Sequence, residues 1–225
     1  MANKATKVKD TERQENIEAT VTATEKFYNE NKKTIWGIII AVLVIGLAIL
    51  AYSKFIYQPK CAEAQQETYP AEIAFQQQAW EIALNGDGNN LGFAEIIDTY
   101  GAKAGKAVYF YAGICELQLG NYEEAISYLK KYNGKDSILA ARAIAAQGDA
   151  YVELDDIQAA VSCFEKAAAT ADNTFAAGYL LKAGVAYEAL GNNAKAVECY
   201  KTIKDQYPSS LEAYDIDKYI TRIAE

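Results

Sequence analysis

Between Lys33 and Lys54 the chain runs for twenty residues without a charge, and from 35 to 52 every position is apolar or glycine (IWGIIIAVLVIGLAILAY). A helix of that length rises about 27 to 30 Å, the thickness of a bilayer's hydrocarbon core. Trp36 stands near one end, with Tyr52 and Tyr57 near the other, where interfacial aromatics belong. The pattern predicts a membrane-spanning helix over 34–53. Before it, residues 1–33 are polar and mixed in charge with no sustained apolar stripe, which predicts a disordered or loosely helical tail. Beyond it the apolar positions recur at helical spacing. Proline occurs only at Pro59, Pro70 and Pro208, so long helices are permitted downstream of Pro70 and the fold class is all-α.

Three stretches line up: LQLGNYEEAISYLKK (117–131), VELDDIQAAVSCFEKA (152–167) and EALGNNAKAVECYKTI (188–203). Each follows a helical stretch with a central glycine, Gly113, Gly148 or Gly184, and these glycines are 35 and 36 residues apart. A period near 34 with paired helices is the signature of tetratricopeptide repeats, and the chain resembles that family. The family pattern is answered by Ile144, Gln147, Gly148, Tyr151, Ala160 and Phe164 in the second unit. In the third it is answered by Leu180, Ala183, Gly184, Tyr187, Ala196, Tyr200 and Pro208, and in the first by Tyr109, Ala112, Gly113, Ala125 and Leu129. The departures are Glu116 in place of tyrosine, Gln147 in place of leucine, and a closing proline in the third unit alone.

Gly113, Gly148 and Gly184, with Ala125, Ala160 and Ala196 opposite them, are expected to let the two helix axes of each unit approach closely. Tyr128, Phe164 and Tyr200 are expected to fill space toward the next unit. Gly120-Asn121, Asp155-Asp156 and Gly191-Asn192 supply the turns between helices. Residues 54–105 read as a connector helix and a degenerate hairpin, with helices over 70–85 and 93–100 joined by Gly86-Asp87-Gly88-Asn89-Asn90. Residues 106–208 then hold three repeat units, and 209–225 form a terminal helix that caps the last of them. The resemblance implies a right-handed α-solenoid.

Charge divides unevenly. Residues 1–54 hold 8 Lys+Arg against 6 Asp+Glu, and residues 55–225 hold 14 against 24. An acidic domain repels phosphate backbones, so nucleic-acid binding is not expected. There is no histidine, which removes the usual general base and the commonest metal ligand. Cys61, Cys115, Cys163 and Cys199 form no CxxC pair, and the last three read as small buried fillers. The 85–90 loop alternates Asn85, Asp87 and Asn89 but has Asn90 and Ile96 where a calcium loop needs glycine and glutamate. The expectation is therefore no catalytic residues, no metal, no cofactor, no small-molecule substrate, and a role in binding other proteins.

A charged lead-in of more than thirty residues is too long for a cleaved signal peptide, and Gln58-Pro59-Lys60 before Cys61 is no lipoprotein signal. Lys26, Lys32 and Lys33 on one flank exceed Lys54 and Lys60 on the other by a single charge, and the early run of Lys4, Lys7, Lys9 and Arg13 favours an N-terminus on the cytoplasmic side. In a bacterium this makes a single-pass inner-membrane protein with its repeats in the periplasm.

Partner binding by such repeats uses the face of the first helices turned from the hairpin contact. Helical spacing picks out Phe110, Ile114, Leu117 and Gln118, then Arg142, Ala145, Asp149, Val152 and Glu153, then Leu181, Val185 and Glu188. Phe110, Ile114 and Leu117 admit two readings, an open apolar binding face or packing against the upstream hairpin. An anchor followed by acidic repeats resembles the YfgM-type ancillary subunit of the bacterial Sec translocon, and the loop NGDGNNLGF resembles the Bacteroidetes version. That resemblance implies translocon subunits, exported clients or chaperones as partners. A scaffold for another envelope or secretion assembly, or a cytosol-facing import receptor, shares the same architecture.

Overall fold

The computed structural model describes residues 2–171 and 173–224, with side chains from Glu25 to Ile223 apart from 172. It divides into two compact units, 1–58 and 59–225.

The first unit is a single helix, α1 (Ala2–Tyr52), followed by one π-helical turn, Ser53–Tyr57. The polar tail and the apolar segment are thus one helix, where a disordered or loosely helical tail was expected. No glycine or proline occurs between Ala2 and Trp36, so nothing in the backbone interrupts the helix. None of its most apolar stretch is buried, and Leu47 and Leu50 are each 65 % exposed. By length and composition it can cross a membrane.

In the second unit, α2 (Gln58–Gln76) runs straight through Pro70. The expected helix over 70–85 is absent in that form: the chain breaks at 77–79, where Gln78 has φ 60°, and a short α3 (Trp80–Asn85) follows. Ala64, Thr68, Ala71 and Ala74 are buried at helical spacing on one face of α2, which holds the helix despite the hydrogen bond that Pro70 cannot make. The next helix is α4 (Phe93–Tyr100), and Phe93, Ile96 and Leu84 centre a core that α5 (Ala107–Leu119) closes with Val108, Ala112 and Cys115. Phe75 and Phe93 both meet Tyr111 of α5, with ring centroids 5.0 and 5.4 Å apart.

Helix α5 begins the repeats, continuing through α6 (Tyr122–Lys131), α7 (Ser137–Glu153), α8 (Ile157–Ala171), α9 (Ala176–Ala189) and α10 (Asn193–Gln206). In each pair a large side chain of the second helix lies on the glycine of the first. A Cβ at Gly113 would come within 2.6 Å of Leu129 Cγ, one at Gly148 within 2.6 Å of Phe164 Cε1, and one at Gly184 nearer still to Tyr200. Ala125, Ala160 and Ala196 are fully buried beside them. One expectation is corrected here. The residue on Gly113 is Leu129, while Tyr128 is half-buried against the upstream core; Phe164 and Tyr200 cover the glycines of their own hairpins and also meet the next element, at Lys182 and Tyr219. The physical reason is register, since the covering residue stands four positions after the small alanine and so shares its face.

The three turns are built alike. Asn121, Asp156 and Asn192 each donate a backbone N–H to the carbonyl five residues back, at 2.9 Å, and the preceding residue is left-handed: Gly120 (φ 84°), Asp155 (φ 59°) and Gly191 (φ 70°). This closure satisfies carbonyls the helix end leaves open. Only the second repeat places a side chain in the left-handed position. Asp155→Gly is expected to stabilise the protein by about 0.5–1 kcal/mol, because aspartate strains where glycine does not; an unchanged or lowered melting temperature would show that Asp155 is held by something besides the turn.

A single 3-10 turn, Glu212–Tyr214, leads to α11 (Ile216–Ala224), which packs on α10 through buried Ile216 and sets Tyr219 against Tyr200, centroids 5.3 Å apart.

Candidate functional site

The first helices of the second and third repeats, α7 and α9, do not close completely on each other. Between them lies a groove of about 470 Å³. Val152 from α7 and Leu181, Val185 and Ala189 from α9 form its apolar walls, and Ile157 and Phe164 of α8 lie deeper. Tyr219 of α11 lines it as well. Val152 is 40 % and Val185 47 % exposed, so branched aliphatic surface faces solvent there.

One ion pair lines it and a second stands beyond its lining. Lys182 Nζ donates to both carboxylate oxygens of Asp149 at 2.7 Å and lies 5.6 Å from the centroid of Phe164. The two side chains are 47 % and 38 % exposed, so the pair fixes geometry more than it stabilises. Arg222 of α11 donates to both oxygens of Glu188 at 2.7 Å, and Glu188 also accepts the hydroxyl of buried Tyr200. Burial first, then the bond to Glu188, pushes the Tyr200 hydroxyl far up, so it stays a donor. Glu153 Oε2 accepts only the Tyr122 hydroxyl, at 3.3 Å, and makes no ion pair among the described residues.

Of the face named from spacing, Asp149, Val152, Glu153, Leu181 and Val185 come together in this groove. Others do not. Phe110 is 2 % exposed and packs with Leu129, Ala143 and Ala146, with Ile114 and Leu117 against the same cluster. It is therefore neither an open face nor part of the seam with the upstream hairpin. The following repeat covers it, and Tyr111, Ala112 and Cys115 on the other side of α5 meet the hairpin. Arg142 places its guanidinium 5.5 Å from the Phe110 ring centroid, as a lid on that seam. Gln118 is exposed, Ala145 is buried in the core, and Glu188 is held by Arg222 and Tyr200. Spacing missed Lys182 and Tyr219. A lysine beside Leu181 and opposite in sign to Asp149 was a visible signal for the first, but nothing local in the sequence brings α11 to the groove.

Other features of reactive chemistry are quiet. Burial pushes the Cys115 thiol up to about 12 and the Cys199 thiol to about 11, and Cys163 shifts the same way, so these cysteines stay protonated at neutral pH. In the 86–91 loop Asp87 Oδ1 accepts the backbone N–H groups of Asn89 (2.9 Å) and Asn90 (2.7 Å). Those donors, Asn90 foremost, hold the Asp87 carboxyl below its ordinary range and explain the acid there as a turn-former. No group of three potential metal ligands occurs among the described residues.

Tetratricopeptide-repeat models match residues 107–135, 141–173 and 179–210, one on each helix pair. The fold is similar to two crystal structures of MamA. One is 21 % identical, with a TM-score of 0.51 over 68 % of this chain and 92 % of that one; the other is 21 % identical, with 0.52 over 73 % and 86 %. At this identity the likeness is one of fold. No curated protein sequence matches the chain.

Proposed function

Because the chain is a tetratricopeptide-repeat protein, whose repeats serve protein–protein interaction, we propose that it is a membrane-anchored scaffold that holds other proteins in the α7/α9 groove. The observation that carries this reading is the aliphatic wall of exposed Val152 and Val185 with half-buried Leu181, on the first helices of successive repeats. The apolar stretch of α1 is the anchor. Its N-terminus lies in the cytoplasm and the repeats lie in the periplasm of a bacterial inner membrane, a topology supported by the early lysines. The role closest to the sequence resemblance is that of an ancillary translocon subunit, meeting exported chains as they emerge and passing them to chaperones. Tethering raises the local concentration of such clients, so a modest groove suffices.

A photoreactive amino acid placed at Val185 in native membranes tests this. Adducts with translocon subunits or newly exported proteins are expected. Adducts confined to other envelope or secretion components would move the scaffold to that assembly, and no adduct would remove the groove as a binding site. Protease added after permeabilising the outer membrane should digest the repeats and spare the N-terminal tail; protected repeats would instead make the protein a cytosol-facing receptor.

A further inference from the structure

The groove carries an electrostatic asymmetry that restricts what it can hold. Its two nearby cations are both occupied within the chain, Lys182 by both oxygens of Asp149 and Arg222 by both oxygens of Glu188. Among the described residues no free cation lines it, so a ligand's carboxylate finds no partner there. Glu153 is different. It lines the groove beside Val152, is exposed, and is steadied only by the neutral Tyr122 hydroxyl. Asp149 and Glu153 stand one helical turn apart on the same face of α7, and Lys182 neutralises only the first. The turn beyond adds Asp155, exposed and left-handed, and Asp156, whose Oδ1 already accepts the backbone N–H of Ala159 at 3.0 Å. The α7 end of an apolar groove is therefore uncompensated negative charge, and the surrounding 55–225 region holds 24 Asp+Glu against 14 Lys+Arg.

We propose that the α7/α9 groove takes a protein segment whose branched or long aliphatic side chains are followed, within about one helical turn, by lysine or arginine, the cation meeting Glu153. The aliphatic side chains seat against Val152, Leu181 and Val185. The acidic surface draws such segments in and turns away acidic ones. This rests on the groove being the binding site and adds the chemistry of its occupant.

The test uses the full chain in lipid nanodiscs and fluorescein-labelled synthetic peptides of about twelve residues, long enough to cross one repeat face. One peptide carries leucines followed by lysines, a second has glutamates for the lysines, and a third has serines for the leucines. Anisotropy titration should show the leucine-lysine peptide binding about tenfold tighter than the glutamate peptide at low salt, with the gap narrowing at high salt. Glu153→Gln should shrink that preference about fivefold, the effect of one lost charge pair. Val185→Asp should abolish binding of the leucine-lysine peptide, with Val185→Ser as the milder variant and circular dichroism as the check that helices persist. Equal binding of the lysine and glutamate peptides, or an unchanged preference in Glu153→Gln, overturns the charge inference while loss in Val185→Asp keeps the groove. Binding of the serine peptide equal to that of the leucine-lysine peptide also overturns it, since attraction would then be to the acidic surface at large. Binding indifferent to Val185→Asp overturns both it and the groove.

Discussion

Gly184→Leu is expected to destabilise the repeat unit by about 3 kcal/mol, lowering its melting temperature by roughly 6–12 °C. Two effects oppose each other at this position. Leucine is the better helix former by about 1 kcal/mol, and glycine in the middle of α9 is costly on that account alone. Against this, any Cβ at 184 enters the space of the Tyr200 ring, which is fully buried and tied by its hydroxyl to Glu188. The ring cannot swing aside without leaving that acceptor and its contact with Tyr219. Overpacking wins. Thermal melts followed by circular dichroism decide it, and the double variant Gly184→Leu, Tyr200→Ala separates the causes: if the clash is the reason, the two losses will not add. A melting temperature unmoved by Gly184→Leu would mean that α9 and α10 are not pressed together at this glycine.

Phe110→Ala is expected to cost about 3–5 kcal/mol, the range for emptying a buried aromatic site. Phe110 is 2 % exposed, meets Tyr111 and Tyr132 edge-on at centroid distances of 5.7 and 6.3 Å, and lies beneath the Arg142 guanidinium. Leu129, Ala143 and Ala146 complete the seam between the first and second repeats. The alanines opposite are too small to move in and refill the space. The loss should therefore appear in stability, as an early unfolding transition, and leave the α7/α9 groove formed below that transition. A stability change under about 1 kcal/mol, within the range of ordinary surface substitutions, would return Phe110 to an open face.

Periodicity was enough for the repeats, because each hairpin repeats the same local solution. A glycine on the first helix, an alanine and a large residue four positions later on the second, and a left-handed turn residue between them recur in register through Gly113, Gly148 and Gly184. The apolar stretch of α1 was equally legible, since length and absence of charge are properties of the string itself. Where two local tendencies competed, the sequence was ambiguous. Pro70 looked like a helix start, yet the buried face of Ala64, Thr68, Ala71 and Ala74 carries α2 through it, and the break falls at Gln78, which has no breaker's signature.

What spacing could not decide is which side of a first helix is left uncovered. Phe110, Ile114 and Leu117 share the helical spacing of a binding stripe, and Asp149, Val152 and Glu153 share another. The helices themselves are alike, but their neighbours differ. The upstream hairpin presses on one side of α5 and α7 on the other, so α5 is covered on both sides, whereas α9 leaves a groove beside α7. Burial of a stripe depends on what the rest of the chain brings against it, and that is a property of stacking, not of the helix. Glu188 makes the same point in charge: alone it reads as a groove acid, and only the return of α11, with Arg222 and Tyr219, makes it an internal tie. The sequence by itself determined the repeat helices, their pairing and the apolar N-terminal segment, because these follow from contacts within about forty residues. Tertiary structure alone decided which face is left uncovered, because that depends on contacts between repeats and with the final helix.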